Sequence, residues 1–379
     1  MDSKENTTLK SKVCFLLTHI PNPRMNKRIN VYKENYAVSV LCIRRKSQNI
    51  WEPQIDDINY YIYDMDLPSA KHLIKRAIMS GKYQKVALEK LKEIAPERLY
   101  CGGLDSLIIA NKYKKNNPQT KVIYEVADLR EAYITTPKNI LKRLANGLVK
   151  KKEKKALECI GLLVVTSPQF YNQYYCQFIP NNKMIFIPNA PNKMVFENYK
   201  KKSDGRFTIG FIGGIRYLKQ MKMLVDAACE MNCDVFFAGA GGTLTEYEEI
   251  TTYCKDKSNV SFSGRYDYEK DISRLYGQVD CVFAVYDASN PNVRIALPNK
   301  LYESIVCGLP IIVAKNTYLS ELVNEWGVGV SVKHDSVEEL KIEISKLMND
   351  QAYYDKIVEK CNRIKKDVLT NDLSGILKV

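Results

Sequence analysis

Short runs of consecutive apolar residues, with no polar residue alternating through them, constrain this chain more than any other feature. Ile311-Ile-Val-Ala314, Asp280-Cys-Val-Phe-Ala-Val285 and Gly161-Leu-Leu-Val-Val-Thr166 are of strand length, and each is apolar through its middle. A strand of that kind is covered on both faces, as in a parallel sheet lined by helices. The N-terminal part repeats the theme. Lys12-Val-Cys-Phe-Leu-Leu-Thr18 reads as a strand, the loop HIPNPRMNKR leads into a helix ending near Asn35, and Val38 to Ile43 is a second strand. Strand, loop, helix, strand is how a Rossmann-like sheet begins. Tyr60 to Tyr63, Arg98 to Cys101, Lys121 to Val126 and Met184 to Ile187 continue it, with one long helix over residues 69–95.

A chain of 379 residues is too long for one core. Lys200 to Gly205 is polar and breaks the pattern, and the scheme restarts at Phe207-Thr-Ile-Gly-Phe-Ile212. Two α/β domains are therefore expected, over residues 1–200 and 201–355, followed by a terminal segment, 356–379. Gly213-Gly214 follows the first strand of the second half, and Gly239, Gly241 and Gly242 follow the second, Val235 to Ala238. Glycines at such a turn let backbone approach a phosphate closely. The stretches 336–349 and 351–368 read as helices.

The stretch 285–322, VYDASNPNVRIALPNKLYESIVCGLPIIVAKNTYLSEL, is where chemistry concentrates. It reads strand end, polar loop, helix, buried strand, helix. Pro298 pre-sets a first helical turn, and Gly308 with Pro310 marks the helix end. Two polar residues stand against this apolar frame. Lys300 lies in the first turn, where the helix dipole disfavours a cation, and Glu303 lies one turn on. A helix opening after a parallel strand is a ready anion site, and a lysine there adds charge for a phosphate. A carboxylate one turn deeper can accept hydrogen bonds from sugar hydroxyls.

LPNKLYESIVCGLPIIVA resembles the P-x-K-x-x-E-x-x-x-x-G-x-P signature of retaining nucleotide-sugar glycosyltransferases of the GT-B fold, bacterial capsule and exopolysaccharide enzymes above all. The resemblance runs through most of the chain and is most specific from Phe207 to Val332. It implies two Rossmann-like domains facing across a cleft, an acceptor bound by the first and a nucleoside diphosphate sugar by the second. It also implies a last helix packed back on the first domain. It gives Glu303 the ribose of the donor, and it assigns the diphosphate to Arg216 and Lys219 together with Lys300 and the helix mouth around Asn299 and Leu301. Gly213 and Gly214 would lie against the phosphates, and Gly264, Arg265 and Tyr266 against the base, with UDP expected in preference to GDP. Asp128 stands at the strand end that the family places beside the donor sugar. The sequence departs from the family at several points. The first glutamate of its Glu-x7-Glu pair falls at Ile295, and the histidine before Asp128 is Ala127. The place of the diphosphate-binding arginine holds Gly214, with Arg216 two residues on, and the loop after the first strand carries Arg24, Asn26, Lys27 and Arg28 where the family often has glycines.

The charge is uneven. Residues 1–200 carry 34 Lys plus Arg against 18 Asp plus Glu, whereas residues 201–379 carry 23 against 25. The first half is therefore the one expected to face an anionic partner. His19, Arg24 and Lys27, at the end of the first strand and the start of its helix, are the candidates for an anionic acceptor. Residues 138–157, KNILKRLANGLVKKKEKKAL, set Ile140, Leu141, Leu144, Leu148 and Val149 in an apolar stripe among eight Lys or Arg and one Glu. A basic amphipathic helix of that kind reads as a binder of anionic membrane surfaces. A helix in a domain core, with its stripe buried, is the other reading.

No apolar run is long enough to span a membrane, and the start MDSKENTTLKSK lacks the apolar core of a secretion signal. Eleven cysteines without metal-like spacing fit a reducing cytoplasm. Three dispersed histidines and the absence of a DxD motif in the required setting lead us to expect no metal and no cofactor. No helix-turn-helix or RNA-binding aromatic motif accompanies the positive charge, so nucleic acid is not the expected partner. The expectation is a metal-independent retaining glycosyltransferase, cytoplasmic and peripheral on the inner membrane face, acting on a lipid-linked or glycan acceptor in surface polysaccharide synthesis. A nucleotide-sugar epimerase and a catalytically inactive membrane adaptor are the alternatives.

Overall fold

The computed structural model describes residues 10–45, 52–65, 73–137, 139–202, 205–240, 244–369 and 372–379. Gly241, Gly242, Lys138 and the expected helix start at 69–72 lie outside them. The chain forms two compact units, residues 1–187 with 372–379 and residues 188–371.

The first unit is built on strands β1 (Lys12–Leu17), β2 (Ala37–Arg44), β3 (Asn59–Asp64), β4 (Arg98–Gly102), β5 (Lys121–Val126), β6 (Leu162–Val165) and β7 (Met184–Phe186). They form one sheet in the order β3-β2-β1-β4-β5-β6-β7, with every pair parallel. Its helices are α1 (Pro23–Lys33), α2 (Leu73–Ile94), α3 (Leu104–Asn116), α4 (Glu131–Ile134), α5 (Ile140–Leu157) and α6 (Pro168–Gln173). Asn22 caps α1 by accepting from the Met25 amide, and Pro23 supplies its first turn. One layer of core lies between the sheet and α1, where Phe15, Tyr100 and Ile123 meet Met25, Ile29 and Tyr32.

The second unit carries β8 (Thr208–Ile212), β9 (Asp234–Ala238), β10 (Val260–Gly264), β11 (Cys281–Ala284), β12 (Ile311–Ala314) and β13 (Gly329–Val332), in the order β10-β9-β8-β11-β12-β13. All pairs are again parallel. The helices are α7 (Leu218–Met231), α8 (Leu244–Tyr253), α9 (Tyr268–Tyr276), α10 (Pro291–Ile295), α11 (Asn299–Cys307), α12 (Tyr318–Trp326), α13 (Val337–Asn349) and α14 (Gln351–Leu369). All four residues of β11 and of β12 are buried, as uninterrupted apolar runs require.

The second unit begins at Pro188, ahead of the boundary expected at residue 200. Helix α14 stays within that unit, where Ile357 and Cys361 are buried in its core. It is the segment 372–379 beyond the helix that belongs to the first unit. There Ile376 is buried, and its carbonyl accepts the Tyr32 hydroxyl. The terminal segment 356–379 is thus divided, with only its last residues returning to the first domain.

Candidate functional site

In the second sheet the chain runs outward in opposite directions from the adjacent strands β8 and β11. Open α/β sheets bind ligands at the carboxyl ends of strands beside such a reversal. The loops that leave those two ends are Gly213–Tyr217 and Val285–Asn290.

Glycine is required in the first loop. Gly213 has φ +143, and a Cβ on it would lie 2.8 Å from Lys300 Nζ. Behind it, Gly239 has φ +136, and a Cβ there would come within 2.0 Å of the Gly213 carbonyl oxygen. The Gly213 amide donates to the Ala238 carbonyl, and the Gly239 amide to the Gly264 carbonyl. The three strand ends β8, β9 and β10 are therefore laced together by bare backbone.

Lys300 reaches this loop from α11. Pro298 is extended at the N-cap, and Gly308 ends the helix in the left-handed conformation at φ 67. Lys300 is only 7% exposed. Its Nζ lies 4.1 Å from the Phe211 ring centroid and donates to the Tyr286 hydroxyl at 3.2 Å. Burial pushes its ammonium down to about 8, against the pull of Glu303 and with the repulsion of Arg216. The ammonium is buried beside an arginine, among aromatic faces and one hydroxyl, with the Glu303 carboxylate as the anion that pulls on it.

The structure thus brings the Arg216 loop and the Asn299–Glu303 turn to the same edge of one sheet. Arg216 and Lys219 are exposed, and Gly214 is exposed beside Arg216. Lys219 is close enough to Asp287 to help hold that carboxyl below its usual range, after the hydrogen bonds from Ser289. Asp287 also pairs with His334 Nδ1 at 3.3 Å. Asn299 is hydrogen-bonded by the Asn189 amide, and Leu301 is fully buried in the core.

Glu303 is 3% exposed, and both of its oxygens are engaged. The Tyr268 hydroxyl donates to Oε1 at 2.7 Å and the Tyr276 hydroxyl to Oε2 at 2.6 Å. Tyr266 is also near enough for the Glu303 charge, after burial, to raise its phenol. Gly264 has φ +71 at the end of β10, and Arg265 beside it is exposed. Asp267 then caps α9 by accepting from the Glu269 and Lys270 amides. Ile295, where the family's first glutamate would stand, is buried at the end of α10.

The expected acceptor residues lie at the carboxyl end of β1 and on α1, in the first unit. His19 Nδ1 is 2.7 Å from the Ile20 carbonyl, and burial lowers its pKa. Arg24 is not simply a solvent-facing cation. Its Nε lies 2.9 Å from Oε1 of Glu125, which is fully buried. Arg28 is also buried and donates its Nε to Oε2 of the same carboxylate at 3.3 Å, while the Tyr100 hydroxyl donates to that oxygen. The arginines hold the Glu125 carboxyl below its usual range despite its burial. Two arginines on one carboxylate leave a net positive charge under α1. Lys27 is partly buried on the same helix, and Asp128 is exposed beyond β5.

Tyr268, Tyr276, Tyr286 and Phe211 were not anticipated. Glu125 gave a signal: a carboxylate inside the otherwise apolar strand KVIYEV has to find a buried partner. The apolar stripe of α5 is not in the core. Ile140, Leu141, Leu144 and Leu148 are 73%, 76%, 63% and 63% exposed. The helix is anchored at its far end by the buried Glu153, Ala156 and Leu157. The hydroxyls of Tyr124 and Tyr175 donate to Glu153 Oε1 at 3.1 and 3.0 Å. Among the described residues no helix is long and apolar enough to cross a membrane, and no group of three or more His, Cys, Asp or Glu could hold a metal ion.

Residues 195–367 match the family described as glycosyl transferases group 1. The succinoglycan biosynthesis protein ExoL of Rhizobium meliloti is 22% identical over 254 residues, covering 64% of this chain and 61% of that protein. A Bacillus subtilis protein named for teichuronic acid biosynthesis, TuaH, is 24% identical over 200 residues, 51% of this chain and 50% of that one. The chain thus spans between half and two thirds of the length of these curated relatives. Anabaena HepE, solved with UDP and glucose, superposes with a TM-score of 0.69 at 14% identity, over 97% of this chain and 100% of that one. These likenesses show a GT-B fold of two parallel-sheet α/β domains.

Proposed function

We propose that this chain, with a group 1 glycosyltransferase domain at residues 195–367 on a GT-B fold, moves a sugar from a nucleoside diphosphate sugar to a growing surface polysaccharide. The observation that carries this reading is Lys300, buried against Gly213 and beside Arg216, with Glu303 one turn deeper in the same helix. The diphosphate lies over the Gly213–Gly214 turn, between Arg216, Lys219, Lys300 and the mouth of α11. Negative charge grows there as the bond to the anomeric carbon breaks, and fixed cations stabilise it without a divalent metal. The ribose lies against Glu303, the base against Gly264, Arg265 and Tyr266, and UDP is the nucleotide. The leaving phosphate helps to deprotonate the acceptor on the same face of the sugar, so the anomeric configuration is retained. Asp128 holds a sugar hydroxyl.

The relatives named for succinoglycan and teichuronic acid synthesis support the product class. The acceptor is lipid-linked and anionic, bound by the first unit through His19, Arg24 and Lys27. Helix α5, with exposed leucines among lysines, holds the enzyme on the inner face of the cell membrane. The test is product analysis with UDP- and GDP-sugars, with and without a lipid-diphosphate acceptor. Acceptor-dependent release of UDP, cut at least tenfold by Glu303→Gln, is expected. A new sugar epimer formed from donor alone, or nucleotide binding without turnover under any condition, would overturn it.

A further inference from the structure

Glu303 has partners that no sugar needs. Both of its oxygens already accept a tyrosine hydroxyl, at 2.7 and 2.6 Å, and both tyrosines come from the single helix α9, two turns apart. Tyr276 is fully buried and Tyr268 is half-buried. A carboxylate oxygen has two acceptor directions, so one on each oxygen remains. A carboxylate pinned at both oxygens cannot rotate, and its two remaining directions are fixed in space.

We infer that Tyr268 and Tyr276 are positioning residues that fix Glu303 to receive the two hydroxyls of a nucleoside cis-diol. The inference rests on the nucleotide-donor reading above and deepens it. The pair also joins two parts of the site. Helix α9 starts three residues after Arg265, and Asp267, which caps it, stands between Tyr266 and Tyr268. The clamp therefore ties the loop after β10 to the carboxylate on α11. Neither tyrosine needs to touch the ligand. Their effect is to remove the cost of orienting Glu303 at the moment of binding.

The test compares UDP with 2′-deoxy-UDP by calorimetry in the wild type, Tyr268→Phe, Tyr276→Phe, the double variant and Glu303→Gln. The wild type should prefer UDP by about tenfold or more, the worth of a hydrogen bond to a charged acceptor. In the double variant that ratio should fall towards one, while affinity for inorganic pyrophosphate, held by the cations alone, stays within about twofold. A ratio cancels partial loss of folded protein, and Tyr268→Phe alone, at a half-buried site, should already lower it. If Glu303→Gln erases the preference and the double tyrosine variant keeps it, the clamp idea fails and the nucleotide reading stands. If the wild type binds no UDP, GDP or ADP, both fail together.

Discussion

At the scale of single residues, Lys300 sets function against stability. Its ammonium titrates near 8 in the folded chain, against an ordinary value of 10.5, because burial removes its water. A lowered lysine pKa means that the folded state holds the proton less tightly than the unfolded chain does. The penalty is fully present below about pH 8 and fades as pH rises towards the unfolded value. Its size is about 3 kcal/mol. Lys300→Met should therefore raise the thermal midpoint at pH 7, and that advantage should shrink between pH 8 and 10.5. The same variant should weaken UDP binding at pH 7. Wild-type affinity for UDP should fall as pH rises above about 8, whereas the variant's should not follow that curve. A methionine variant that is less stable than the wild type at pH 7 would contradict this account.

At the scale of elements, α5 separates into two ends. Glu153, Ala156 and Leu157 fix one end in the first unit. The other presents Ile140, Leu141, Leu144 and Leu148 to solvent, with Lys142, Arg143 and Lys150 to Lys152 around them. Each cation near an anionic leaflet contributes about 1 kcal/mol, and the apolar side chains add to it. The chain should sediment with phosphatidylserine vesicles at low salt and dissociate at high salt. Leu141→Ser with Leu144→Ser should reduce this binding severalfold without moving the thermal midpoint, because both sites are already exposed. The elements themselves were largely legible. An uninterrupted apolar run located β12 to the residue, the β-rich run KVIYEV located β5 despite Glu125 within it, and Gly308 located the end of α11, because these signals are local. The five-residue helix α10 was read as loop, since Asn290 and Pro291 resemble a turn until the next residues close on them. The tyrosine clamp left no trace in the sequence. Which carboxylate meets α9 depends on how two helices 27 or more residues apart pack on one sheet, and no spacing rule reports that. The fate of the α5 stripe was equally invisible, because its periodicity is the same whether the helix lies in a core or on a surface.

At the scale of the whole molecule, the path of the chain matters as much as either sheet. It leaves the first unit at Ile187, builds the second, and re-enters the first at Asp372. The returning residues are not a loose tail. Ile376 is fully buried with Phe15, Tyr32 and Tyr100, and Val379 packs so closely over Gly161 that a Cβ there would lie 2.8 Å from its side chain. Removing residues 372–379 should lower the melting temperature of the first unit by several degrees while sparing the second, as hydrogen exchange resolved by segment would show. Equal protection of both units in the shortened chain would argue against it. The second unit is one continuous stretch, Pro188–Asn371, whereas the first is not the contiguous module that 1–200 would be. A fragment ending at Ile187 would carry an open slot beside Tyr32, and a synthetic peptide of residues 372–379 would be its natural plug.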